Sequence, residues 1–301
     1  MRATRREFCA SLGAGLAAAA RAGEKQEGFR LRYIIASSLY GRMKLEEILP
    51  EVRKAGAEEL DLWPEPHANQ REQVEAMGHE RFAALLQQHG VKLGIITRYD
   101  LGPFRLQPEM AVAKRLGASM LVCGSGGPKG LAGDALEAAA AKFAEQMKPQ
   151  VAAAEEAGLV IAIENHGNTL LDSPEAVRRF AEAVDSPHIG VALAPYHLPQ
   201  DAALLAKLIE GLGERLVHFY AWQHGKGCMT KLPKEDEMLQ MPGRGPLDFK
   251  PLLAALRKIG YKGWTEVFMH PVPRGIPILP TAAEVTAEVV NAQRYLEGCL
   301  I

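Results

Sequence analysis

From residue 31 onward the chain repeats one unit eight times: a short apolar run of strand-forming residues, then a longer amphipathic run. The apolar runs fall at 31–38, 58–64, 91–97, 118–124, 159–165, 189–195, 215–222 and 263–269. Those between and after them, at 44–56, 71–90, 108–117, 134–158, 173–184, 201–213, 247–260 and 281–298, carry apolar residues three and four apart, as a helix burying one stripe requires. The strand runs are nearly continuous in apolar character, which fits parallel strands covered by helices. Gly56, Gly90, Gly117, Gly158 and Gly260 stand between helical runs and the strands that follow, where a left-handed cap favours glycine. Ser173-Pro174 opens one helix in the order of cap, then proline.

Eight such units predict an α/β chain folded as a single-domain (β/α)8 TIM barrel. The rival, a doubly wound open sheet, would be favoured by a glycine-rich phosphate loop after the first strand, and ASSLYGR (36–42) holds no GxGxxG. The chain is 48% hydrophobic and 24% charged, an ordinary globular balance that excludes disorder as a whole-chain reading. Its formal charge of -1 gives no global reason to bind nucleic acid. No apolar run reaches the roughly 20 residues of a membrane span.

Residues 1–22 read as a twin-arginine export signal. Arg5-Arg6 precedes a weakly apolar Ala- and Gly-rich stretch, and Ala20-Arg21-Ala22 offers small residues for cleavage. The barrel then occupies 23–301, and the expected location is periplasmic. Cys123, Cys228 and Cys299 remain after cleavage, an odd number with no CxxC pair, so no disulfide framework is indicated. The sequence leaves oligomer formation open.

A barrel presents its chemistry at the C-terminal ends of its strands. Glu164 ends an apolar strand, where a carboxylate is costly without a cation, a proton or a hydrogen-bonded ligand. Trp63, Tyr196 and Trp222 at strand ends suit either stacking on a sugar or capping the barrel. The long connection 223–246 suggests a lid. Within it, Arg244 between two glycines could grip a carboxylate or phosphate, or form a salt bridge. The proline-rich stretch 269–280, with His270 and Arg274, reads as a stiff loop over the mouth. GSGGPKG (124–130) lacks the context of a nucleotide loop, so no nucleotide cofactor is expected.

IENH (163–166), PYHL (195–198), VHFYAWQ (217–223) and the run 242–264 together resemble the xylose isomerase-like barrel superfamily of sugar phosphate isomerases and epimerases. The resemblance implies a divalent metal (Mn, Mg, Co or Zn) held by Glu, Asp, His and Glu from strands five to eight. It also implies carboxylates that move protons through an enediolate. Residue by residue, Glu164 fits the first ligand, but Ala194 stands where the Asp is expected and Phe268 where the last Glu is expected. The strand-seven ligand falls on His218 or on Tyr220. Glu266, two residues before Phe268, shares its face one layer deeper. The reduced ligand set implied is Glu164, His218 and Glu266, with Glu164 and Glu266 as the acid/base pair. His166, His197, Trp222, Gln223 and Arg244 would contact a carbohydrate substrate. The function implied is isomerisation or epimerisation of a sugar or sugar derivative. The alternatives are a non-catalytic carbohydrate-binding barrel and a lyase or hydrolase on the same scaffold.

Overall fold

A computed structural model describes residues 28–300. The expected export signal lies outside the described residues. Eight strands form a closed parallel barrel in sequence order. They are β1 (Arg32–Ala36), β2 (Glu59–Leu62), β3 (Lys92–Thr97), β4 (Met120–Gly124), β5 (Val160–Glu164), β6 (Ile189–Leu193), β7 (Leu216–Ala221) and β8 (Trp264–Val267). β1 pairs with both β2 and β8, which closes the ring. Each strand lies within its apolar run, and all eight expected helical runs form helices. Among the described residues, no helix is long and apolar enough to cross a membrane.

Local chemistry sets the boundaries. All five expected cap glycines have positive φ, from 63° at Gly90 to 82° at Gly117. The Ser173 hydroxyl accepts from the Ala176 amide at the start of helix Pro174–Ala183. The run 71–90 departs from expectation: it forms two helices, Gln70–Met77 and His79–His89, broken at Gly78. There φ is 86° and ψ 148°, a conformation essentially restricted to glycine. The connection 223–246 also contains a short helix, Lys234–Glu237.

The pairing register fixes which side chains share a level. Glu164 pairs with Ala192, Ala192 with His218, and His218 with Trp264. That line follows the hydrogen bonds, and in a sheared barrel it tilts against the axis. Two strands on from Glu164 it has dropped by about two residues, so Tyr220 is level with Glu164 and His218 lies a layer below.

Candidate functional site

A cavity of about 370 Å³ opens at the C-terminal end of the barrel, within the range of small-molecule pockets. Glu164, His166, His197 and Trp222 line it, as the sequence led one to expect. His67, His270 and Arg274 also line it, brought in by the connections after β2 and β8. An adjoining cleft of about 560 Å³ shares His166, His197 and Cys228 and is walled by residues of the 223–246 connection. Asn165 ties the strand ends together: its side chain accepts from the Ala194 amide at 2.7 Å and donates to the Ala194 carbonyl at 3.0 Å. That clasp fixes the flanking Glu164 and His166.

Glu164 Oε1 lies 3.7 Å from His197 Nε2, and both side chains are nearly buried. Burial pushes the Glu164 carboxyl well above the usual carboxylate range, and the neighbouring carboxyls of Glu266 and Asp61 push it further. Burial holds His197 well below an ordinary imidazole, with His166 and Arg274 adding to the effect. His197 Nε2 has no hydrogen-bond partner. The site therefore sets a carboxyl that burial favours in its protonated form beside an imidazole that burial favours neutral, its Nε2 without a hydrogen-bond partner among the described residues. Around them burial lowers His166 and His270 as well, and lowers His67 to about 4, the charge of Arg274 acting on each.

Glu266 and His218 do not line the cavity. They are fully buried, the His218 ring packed edge-on against Tyr220 with centroids 4.4 Å apart. Phe268 stacks on Trp63 with centroids 5.2 Å apart and packs against Tyr220 and Trp222, each 5.1 Å away. Below it, Asp61 accepts from Thr97 Oγ1 at 2.8 Å and from Trp63 Nε1 at 2.5 Å. Burial raises both Asp61 and Glu266 far above the carboxylate range, and lowers His218 to about 4. His218 Nε2 and Glu266 Oε2 are 3.0 Å apart but lack the alignment of a hydrogen bond. The acid/base role expected for Glu266 thus falls to a residue that cannot reach the cavity, while His197 stands beside Glu164 instead.

The expected metal set of Glu164, His218 and Glu266 is not assembled either. Among the described residues, no group of three or more His, Cys, Asp or Glu side chains is arranged to hold a metal ion. Ala194 and Phe268 carry no donor atom, and of the three expected ligands Glu164 lines the cavity while His218 and Glu266 do not. These residues do not fit the metal that the resemblance implies.

Two further expectations are corrected. Gln223 is fully buried and structural: its Nε2 donates to the Met241 carbonyl at 2.8 Å and its Oε1 accepts from the Leu247 amide at 2.7 Å. Arg244 pairs with Glu288 of helix Ala282–Gly298 and takes no part in the cavity. Its salt-bridge reading is the one realised. His270 and Arg274 lie in the stretch that the sequence placed over the mouth, and His67 just past a strand end, but none was given a firm role because the paths of irregular connections are not periodic. Their signal was position just beyond strand ends.

Residues 49–289 match the family described as "Xylose isomerase-like TIM barrel". Among curated proteins, no sequence matches the chain. Solved structures share the fold at low identity. A crystal structure of IolI protein with a binding zinc atom superposes with a TM-score of 0.69 at 15% identity, covering 89% of this chain and 99% of that one. D-psicose 3-epimerase in the presence of D-fructose gives 0.66 at 15% identity, covering 90% and 99%. The probable 3-DHS dehydratase AsbF from Bacillus anthracis gives 0.62 at 12% identity, covering 86% and 97%. By the match over residues 49–289, on a closed eight-stranded barrel, this chain belongs to the xylose isomerase-like TIM barrel family.

Proposed function

We propose that the chain is an isomerase or epimerase of a sugar derivative, moving a proton on carbon with Glu164 and His197. The observation that carries the reading is a buried carboxyl 3.7 Å from a buried imidazole nitrogen that has no partner among the described residues, in a sugar-sized cavity. A carbon next to a carbonyl loses its proton only if charge building on the oxygen is met by a donor. His197 Nε2 takes the proton from carbon as the C–H electron pair shifts toward the carbonyl oxygen. Glu164 gives its own proton to that oxygen, leaving an enediol. The His197 imidazolium then returns its proton to the neighbouring carbon while the Glu164 carboxylate takes the proton of the other enediol hydroxyl, so that atoms and charge balance; inversion at one carbon would need the enediol to turn over between the two groups before reprotonation. Environments that push two titratable groups apart in opposite senses suit such an acid/base division. Trp222, stacked on Tyr196 at 4.0 Å, offers a wall for the apolar face of a sugar ring.

The D-psicose 3-epimerase neighbour, solved in the presence of D-fructose, supports this substrate class by fold alone. We also read the chain as exported, on Arg5-Arg6 and the Ala20-Arg21-Ala22 segment, which cell fractionation tests.

A second reading, a non-catalytic carbohydrate-binding barrel, is favoured by Ala194 and Phe268 at positions where the family's ligands are expected. Solvent deuterium exchange into ketoses separates the two. Exchange that is lost in Glu164→Gln supports the enzyme. Measurable sugar binding without exchange supports the binding barrel.

A further inference from the structure

The cavity carries a charge that the proton transfer leaves unused. Arg274 lines it, half-buried, and forms no ion pair among the described residues. Its Nη1 donates to the Pro271 carbonyl at 3.0 Å, its Nη2 lies 3.9 Å from the Met229 sulfur, and the Cys228 thiol, itself buried, is beside it. Elsewhere in this chain, buried or partly buried arginines such as Arg71 and Arg98 are matched to carboxylates. Glu237, the acid whose charge acts on Arg274, is already taken by Lys234 Nζ at 2.7 Å and the Val272 amide at 2.7 Å.

Around this cation stand His67, His166, His197 and His270. The first and last stack with centroids 4.6 Å apart, and His166 lies 4.0 Å from His197. The imidazole of His197 is nine-tenths buried, with Nε2 unpartnered. Among the described residues, Glu164 is the one acidic side chain lining the cavity, and burial pushes its carboxyl well above the usual range. A guanidinium without a counter-charge, ringed by donors that gain protons when an anion arrives, is built to receive negative charge.

We propose that Arg274, with His67 and His270, forms an anion subsite, so that the ligand is an acidic sugar derivative whose carboxylate or phosphate meets Arg274. The proposal rests on the carbohydrate reading and adds the ligand's charge to it. The anionic end lies at the mouth beneath the 269–280 connection, and the carbonyl end reaches Glu164 and His197. A monoanion on a guanidinium fork gains roughly 10- to 100-fold in affinity over its neutral counterpart.

The test is calorimetric binding of 5-keto-D-gluconate, D-fructose and inorganic phosphate to the full chain, wild type, Arg274→Gln and Arg274→Lys. A thermal melt of each variant guards against misfolding. The expected result is that 5-keto-D-gluconate binds at least tenfold more tightly than D-fructose and that Arg274→Gln abolishes this preference. Arg274→Lys should restore part of it. Inorganic phosphate that displaces the keto acid assigns the subsite to phosphate as well as carboxylate; failure to displace assigns it to carboxylate. Equal affinity for acid and neutral sugar, no binding of any probe, or a preference unchanged in a folded Arg274→Gln overturns the proposal. Arg274-dependent binding without deuterium exchange keeps the subsite and removes the proton-transfer reading instead.

Discussion

Glu266→Gln separates the cavity from the buried layer beneath it. The substitution keeps shape and removes one titrating group at a fully buried position. Burial raises the native carboxyl far above its free value of 4.5, so above that value the folded chain binds a proton that the unfolded chain releases. Stability then falls as pH rises, by about 1.4 kcal/mol for each pH unit until the native carboxyl itself ionises. Between pH 5 and pH 7, Glu266→Gln should therefore gain stability relative to wild type. Urea denaturation of both proteins at the two pH values reads this directly. Ligand affinity and deuterium exchange should stay near wild type, because Glu266 does not line the cavity and a neutral Gln replaces a carboxyl that burial favours neutral. An ion pair of His218 imidazolium with Glu266 carboxylate, 3.0 Å apart, would instead leave the stability difference flat with pH or make it a loss. Either result, or loss of exchange in Glu266→Gln, would refute the reasoning.

Other substitutions probe the remaining assignments. His218 is lowered to about 4 from 6.5, so the unfolded chain binds the extra proton as pH falls through that window. Its share of stability, about 3 kcal/mol, is present above pH 6.5 and lost toward pH 4, and His218→Gln should shed this acid limb in denaturant titrations. Gln223→Ala should cost about 2 kcal/mol, because it orphans the buried Met241 carbonyl and Leu247 amide, with the loss read as a lower denaturation midpoint. Arg244→Ala should cost about 1 kcal/mol through the half-exposed pair with Glu288 and leave sugar affinity unchanged in calorimetry.

The barrel was legible because its signals are local and repeated. Apolar runs mark every strand, and glycines with positive φ close the helices that precede strands. Gly78 shows the limit of periodicity: residues 71–90 carry one helical pattern, yet a single backbone conformation splits it. Within the site, the strand-end rule brought Glu164, His166, His197 and Trp222 to one cavity. It failed at His218 and Glu266 because alternation tells which face a side chain takes but not its height. Height depends on the stagger between strands, a property of the closed barrel that no single run contains. Gln223 and Arg244 misled for another reason: polar side chains near strand ends also fasten loops, and their partners Met241, Leu247 and Glu288 lie 18 to 44 residues away.

The central claim is that Glu164, with His197 beside it, moves protons on the carbon of a bound sugar derivative. Incorporation of deuterium from D2O into 5-keto-D-gluconate and D-fructose, followed by proton NMR with wild type and Glu164→Gln, tests it most directly. The account predicts incorporation next to the carbonyl by wild type, faster for the keto acid, and its loss in a folded Glu164→Gln that still binds. Saturating ligand with no incorporation, or incorporation that survives Glu164→Gln, would contradict it.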